Sequence, residues 1–230
     1  SLHDALPIYG GFTFGARQQH PASGWGSYRV FVGDVGGDQI DDLIFNTLVG
    51  PNRTYVFRGQ DTGEFEFLAF QDRGSTWSGY DVLVGDVNAD DRTDIIFNVT
   101  SSSRNGIHYG FGNDEGRFTV RPYTERSSNW AAYSALVGNV GGGAGDDLVW
   151  TAFTSPEPPV HLSYGSQSGW TPGPFARAPE VQGPRPLEAR LADVDGDGRK
   201  DLVFIGRDGT RLTLDVRSEE RRVGKECATG

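Results

Sequence analysis

Apolar residues in this chain fall in short runs closed by glycine, aspartate and asparagine. Asp42–Phe45 reads DLIF, Asp94–Phe97 DIIF, Asp147–Trp150 DLVW and Asp201–Phe204 DLVF. Two further runs follow the first of these, TYVFRG and EFEFLAF, and two follow the second, GIHYGFG and GRFTVRPY. The breaks between them are Gly, Asp and Asn, the residues that hairpin turns require. No stretch shows the three-and-four spacing of an amphipathic helix. The pattern predicts an all-β chain in units of about four short strands.

The units recur at a fixed period. Each DL/DI run is preceded by a polar loop: DVGGDQIDD from Asp34, DVNADDRTD from Asp86, NVGGGAGDD from Asn139 and DVDGDGRKD from Asp193, with starts 52, 53 and 54 residues apart. Nine residues before each start stand Trp25, Trp77, Trp130 and Pro184; six before stand Tyr28, Tyr80, Tyr133 and Leu187. Four antiparallel strands per repeat at this period describe a β-propeller blade, and each blade needs its neighbours to bury its faces. Residues 9–216 are therefore read as about four four-stranded blades: 9–20 as the outer part of a preceding blade, three whole blades, and three strands of a last blade over 184–216. The expected form is an arc of a larger propeller, with a closed four-bladed ring as the alternative.

The loops carry cation chemistry. Calcium takes six to eight oxygens, and a turn offering a carboxylate at alternate residues supplies them from one side. The fourth loop offers Asp193, Asp195, Asp197 and Asp201, with the Arg199 carbonyl at its seventh position. It is not an EF-hand, because the twelfth position, where that motif needs Glu, is Phe204. The second offers Asp86, Asn88, Asp90 and Asp94 with the Arg92 carbonyl, and Asp91 at the turn position, where Asp tolerates a left-handed backbone. The first keeps Asp34, Asp38 and Asp42 but has Gly36 at its third position, so weaker binding is expected. The third retains only Asp147 of the carboxylates and is expected to bind no cation. Ca2+ is thus expected at two loops and possible at a third, in a structural role at the blade edge. Polar turns without an ion would use the same residues.

This combination of an apolar strand, a GDVNxDxxxDI-type loop and a second apolar strand resembles the FG-GAP or VCBS repeats of integrin-α-like propellers and of many secreted bacterial proteins. The resemblance covers essentially all of residues 9–216. It implies calcium in the loops, an extracellular or cell-surface and bacterial location, and glycan or extracellular protein as partner. Residues 1–8, SLHDALPI, and the RSEERRVGKEC that opens 217–230 instead resemble translations of opposite strands of a common short-read sequencing adapter. Both tails are set aside as non-native, with the natural ends expected to lie beyond them.

Composition narrows the partners. The chain has 21 basic and 31 acidic residues, a net charge of −10. Removing the tails takes four of each and leaves that balance unchanged. No basic stripe is present to hold nucleic acid, and no apolar run reaches membrane-span length. The one cysteine, Cys227, lies in a tail, so no disulfide is expected.

The in-phase pairs Trp25–Tyr28, Trp77–Tyr80 and Trp130–Tyr133 are candidate ligand residues, because aromatic faces stack on sugars. Packing between blades would repeat them equally and is the favoured reading. Tyr55, His108 and His161, in phase four residues before Gly59, Gly112 and Gly165, read as a half-buried aromatic slot. Asn52-Arg-Thr54 and Asn98-Val-Thr100 fit the glycosylation pattern. No catalytic constellation stands out: GSQSG at Gly165 has Gln where a nucleophile would sit, and GFGNDEG has the wrong spacing for a phosphate loop. The resulting expectation is a non-enzymatic, calcium-binding adhesion or glycan-binding module. The alternative is an accessory propeller of a secreted enzyme or toxin.

Overall fold

The computed structural model describes residues 17–18, 25–99, 106–122, 124–125, 132–141, 143–153, 157–177, 188–208 and 211–217. A short 3-10 turn at Trp25–Ser27 leads into the first sheet: β1 (Arg29–Gly33), β2 (Asp42–Thr47), β3 (Pro51–Gly59) and β4 (Phe65–Thr76), antiparallel in that order. The second runs β5 (Tyr80–Gly85), β6 (Asp94–Val99), β7 (Gly106–Gly112) and β8 (Phe118–Val120), with β9 (Thr124–Glu125) also pairing with β7. The third is β10 (Ser134–Gly138), β11 (Asp147–Thr151), β12 (Pro159–Ser166) and β13 (Gly169–Arg177). The last holds three strands, β14 (Glu188–Ala192), β15 (Asp201–Asp208) and β16 (Arg211–Arg217). Arg217, placed in the tail by sequence, pairs with Leu202 at the end of β16. Residues 1–8 and 218–230 lie outside the described residues.

The innermost strands follow one another, β1 beside β5, β5 beside β10 and β10 beside β14. Among the described residues the four sheets form an open arc and not a closed ring. Each hydrophobic core among these residues joins two neighbouring sheets. One core joins Ile44 and Val56 of the first blade to Val82, Ile95 and Phe97 of the second. The next joins Ile96 and Ile107 to Leu148 and Trp150, and the third joins Val149 to Ala189, Leu202 and Phe204.

This explains why the second strand of a blade is apolar without alternation. In β6, Ile95 and Phe97 face the first junction while Ile96 faces the second, and all six residues from Asp94 to Val99 are buried. A strand covered on both faces loses the polar half of its pattern.

Two devices let the blades approach. The third strands of the first three blades carry a glycine at or next to their ends, Gly59, Gly112 and Gly165, and a Cβ on Gly112 would fall 2.5 Å from the Thr93 carbonyl oxygen, so no larger residue fits. Gln71 of β4 also reaches across to β8, as Gln18 does to β4: Phe65 N–H donates to Gln18 Oε1 at 2.9 Å and Phe118 N–H to Gln71 Oε1 at 2.8 Å. The rest of segment 9–20, apart from Arg17, lies outside the described residues.

Candidate functional site

The polar loops share one backbone path in blades one, two and four. The fourth and sixth positions have left-handed backbones: Gly37 and Gln39, Ala89 and Asp91, Gly196 and Gly198. This turns the sixth-position N–H onto the first aspartate. Gln39 N–H donates to Asp34 Oδ2 at 2.6 Å, Asp91 N–H to Asp86 Oδ2 at 2.9 Å and Gly198 N–H to Asp193 Oδ2 at 3.0 Å. The third loop departs from this. Ala144, at its sixth position, is not left-handed, and Asn139 accepts only from Gly141 N–H among the bonds seen to its side chain, at 3.0 Å.

The ninth-position carboxylates sit apart from the exposed ones. Asp42, Asp94, Asp147 and Asp201 are all buried. Asp94 accepts from Val87 N–H and Gly112 N–H, both at 2.9 Å, and so ties the loop to the end of the third strand. Asp42 and Asp147 do the same with Val35 and Gly59, and with Val140 and Gly165. Asp201 accepts from Val194 N–H at 2.8 Å, while its Oδ1 is buried with no hydrogen-bond partner. Burial pushes the Asp94 carboxyl up to about 7, against the pull of its two N–H bonds.

The loops also link blade to blade. The eighth-position N–H of each loop donates to the first-position carbonyl of the loop before it. Thr93 bonds Asp34 at 2.5 Å, Asp146 bonds Asp86 at 2.5 Å and Lys200 bonds Asn139 at 2.7 Å.

Among the described residues, one group of three acidic side chains is gathered closely enough to hold a metal ion. Asp193, Asp195 and Asp197 are exposed, with carboxylate oxygens all within 4.8 Å of one another. Asp201 stands outside that cluster. In the second loop, Asn88 donates to Asp90 Oδ2 at 3.0 Å, and its own Oδ1 is buried with no hydrogen-bond partner. In the first loop, Arg58 Nε lies 3.8 Å from Asp38 Oδ2. Nothing in the sequence pattern marked Arg58, which follows strand residue Phe57 and shares its in-phase position with Phe111 and Tyr164.

The aromatic pairs are packed. Trp25 meets Tyr28, Phe45 and Tyr55 at centroid distances of 5.1, 5.0 and 5.1 Å, and Trp77 meets Tyr80, Phe97 and His108 at 4.9, 4.8 and 4.7 Å. Such pairs add about 0.5–1.5 kcal/mol each beyond area burial. Tyr55, His108 and His161 are half-buried, and His161 also meets Tyr133, its Nε2 lying 3.3 Å from the Tyr133 hydroxyl. Trp130 lies outside the described residues. Asn52 and Asn98 are buried, Asn52 accepting from Asn46 Nδ2 at 3.0 Å and Asn98 from Trp150 Nε1 at 3.3 Å. The glycosylation pattern at both is thus set in the interior.

Trp77 has a second role. With Arg73, His108, Phe118 and Arg121 it lines a cleft of about 610 Å3 between the first and second blades. Arg73 donates to Thr54 Oγ1 at 2.8 Å, and burial holds its guanidinium down at about 10, still cationic at neutral pH. Arg121 stands over the Phe111 ring, 5.0 Å from its centroid. Sequence reading found Trp77 and His108 by their phase but missed both arginines, although Arg126 stands four residues before Trp130 as Arg73 does before Trp77.

No family model and no curated protein matches this chain. Among solved structures it is similar to the rhamnogalacturonan lyase YesW, with 14% identity and TM-score 0.50 over 79% of this chain and 41% of that one. It is also similar to the exotype rhamnogalacturonan lyase YesX, with 14% identity and TM-score 0.49 over 77% and 38%. A third is an endo-arabinase from Bacteroides thetaiotaomicron, with 13% identity and TM-score 0.43 over 88% and 78%. The chain spans about two fifths of the length of the two lyases. The likeness to YesW shows the fold. It also corrects the expectation of a non-enzymatic adhesion or binding module and of no enzyme: YesW is a lyase, so the architecture does not set this chain apart from catalysts.

Proposed function

We propose that this chain is a glycan-engaging propeller segment of a secreted carbohydrate-degrading enzyme, with calcium in its fourth and second loops. The cleft between the first two blades carries the reading. Trp77 offers an indole ring, and Arg73 on β4 and Arg121 just past β8 offer planar cationic donors. A sugar ring presents apolar C–H faces to the former and hydroxyl or carboxylate oxygens to the latter. The fold shared with the lyase YesW fits this reading, and the step from fold to carbohydrate chemistry is the proposal's own.

Calcium suits the loops by ligand type. Asp193, Asp195 and Asp197 are all hard oxygen donors, and the Arg199 carbonyl and Asp201 would extend the set. In the second loop the partnerless Asn88 Oδ1 would join Asp86, Asp90, Asp94 and the Arg92 carbonyl. The calcium levels met by extracellular proteins suffice for the weak affinities such modules show.

Native gels cast with rhamnogalacturonan, arabinan or a neutral glucan test the glycan reading. Retarded migration in at least one polymer, relieved by Trp77→Ala with Arg121→Gln, is expected. Unchanged mobility in every gel would reject it. Incubating the chain with whichever polymer retards it, and following polymer length by size exclusion, shows whether this segment itself cuts.

A further inference from the structure

We infer that the first loop takes no metal and is closed by the guanidinium of Arg58, which stands where a cation would. The loop has the backbone of a cation loop, with Gly37 and Gln39 left-handed and Asp34 accepting from Gly37, Asp38 and Gln39 N–H groups. Its third position, Gly36, brings no carboxylate. The vacant side of Gly36 faces Arg58: a Cβ there would lie 3.7 Å from Arg58 Nη2.

Arg58 is held in that place from two directions. Its Nε lies 3.8 Å from Asp38 Oδ2, and its Nη2 donates to the Asp114 carbonyl of the neighbouring blade at 3.2 Å. A second guanidinium arrives from the second loop, for a Cβ on Gly37 would fall 2.8 Å from Arg92 Nε. Two positive groups therefore flank Asp34 and Asp38, the first- and fifth-position carboxylates of the loop. At the position of Arg58 the second and third blades carry Phe111 and Tyr164, which bring no charge. A calcium ion needs six or more oxygens around it and cannot share that space with a guanidinium.

The loop thus keeps its order, and the first blade junction with it, when calcium is withdrawn. Calcium dependence falls on the second and fourth loops. The inference rests on the calcium reading only for the number of ions the unaltered chain binds.

Isothermal titration with calcium alone tests it. The unaltered chain is expected to bind two ions, and Asp86→Asn with Asp193→Asn to bind none. Gly36→Asp joined to Arg58→Gln restores three alternating carboxylates without the guanidinium, and should bind one ion more than the unaltered chain. Gly36→Asp alone should bind no extra ion. An ion retained by the Asp86→Asn, Asp193→Asn chain and lost on adding Asp34→Asn would overturn the inference. So would an extra ion in Gly36→Asp alone, or none in a Gly36→Asp, Arg58→Gln chain whose circular dichroism is unchanged. Should the unaltered chain bind no calcium, the reading of the second and fourth loops fails, while the gained site still decides the role of Arg58.

Discussion

Gln71 holds the backbone of Phe118 from both sides, its Oε1 accepting the Phe118 N–H at 2.8 Å and its Nε2 donating to the Phe118 carbonyl at 3.0 Å. This outer clamp complements the inner relay between loops, and it lies beside a fully buried ring. Gln71→Ala leaves a donor and an acceptor unmet and should destabilise the chain by about 1–3 kcal/mol in urea unfolding. Gln18→Ala, on the exposed counterpart at Phe65, should cost less. Equal losses from the two would show that burial does not set the strength of the clamp.

Asp94 ties its loop to the third strand through two backbone N–H groups. Asp94→Asn turns an NH2 group toward one of them, so one buried N–H loses its acceptor. A loss of about 1–3 kcal/mol is expected, measured by urea unfolding in chelator so that no metal term enters. A loss well below 1 kcal/mol would mean that water reaches the pair.

Metal-free stability should rise as pH falls. Burial pushes Asp94 up to about 7 and raises Asp42, Asp86, Asp146 and Asp147 as well. A carboxyl raised in the folded state binds its proton more tightly there. Its contribution is full below the unfolded value near 4 and is lost as pH rises through the folded value. In chelator the unfolding midpoint at about pH 5.5 should exceed that at about pH 7.5. Saturating calcium favours the ionised carboxylates and should narrow or invert the gap. A midpoint that climbs with pH in chelator would contradict this.

Calcium should stabilise chiefly through the fourth loop. An ion at 100 times its dissociation constant adds about 2.7 kcal/mol. Asp195 makes a single weak bond within the loop, from Asp197 N–H at 3.3 Å, so Asp195→Asn should leave chelator stability unchanged and remove much of the calcium gain. A variant that responds to calcium as the unaltered chain does would remove Asp195 from the ligand set.

The repeat was legible because its causes are local. Loop spacing, the glycines near the ends of the first three blades' third strands and the apolar second strands each follow from close approach or two-sided burial, and they recur in phase. The left-handed sixth position was readable at Gly198 and Asp91, though not the matching turn at Gln39, whose residue type does not announce it. Arg58, Arg73, Gln71 and Arg121 were not legible. Each takes its meaning from groups that only folding brings beside it, as Asp38 and the Asp114 carbonyl beside Arg58, Thr54 beside Arg73 and the Phe118 backbone beside Gln71. A repeat read from the loops says nothing of which groups meet. The fold's bearing on catalysis was misread for a related reason, since propeller repeats record how blades stack and say little about the chemistry they carry.

The carbonyl-to-amide relay from Asp34 to Thr93, Asp86 to Asp146 and Asn139 to Lys200 bears on how such a chain can grow. A duplicated sheet inserted with its own loop must offer an acceptor to the blade after it and find one on the blade before. Gene duplication therefore copies a joint together with the blade. A repeat may shed its carboxylates, as the third loop has, because the joint is made of backbone and survives the change of side chain. Ion binding can be lost, moved or replaced by an arginine one blade at a time, while the geometry of the arc passes on unaltered.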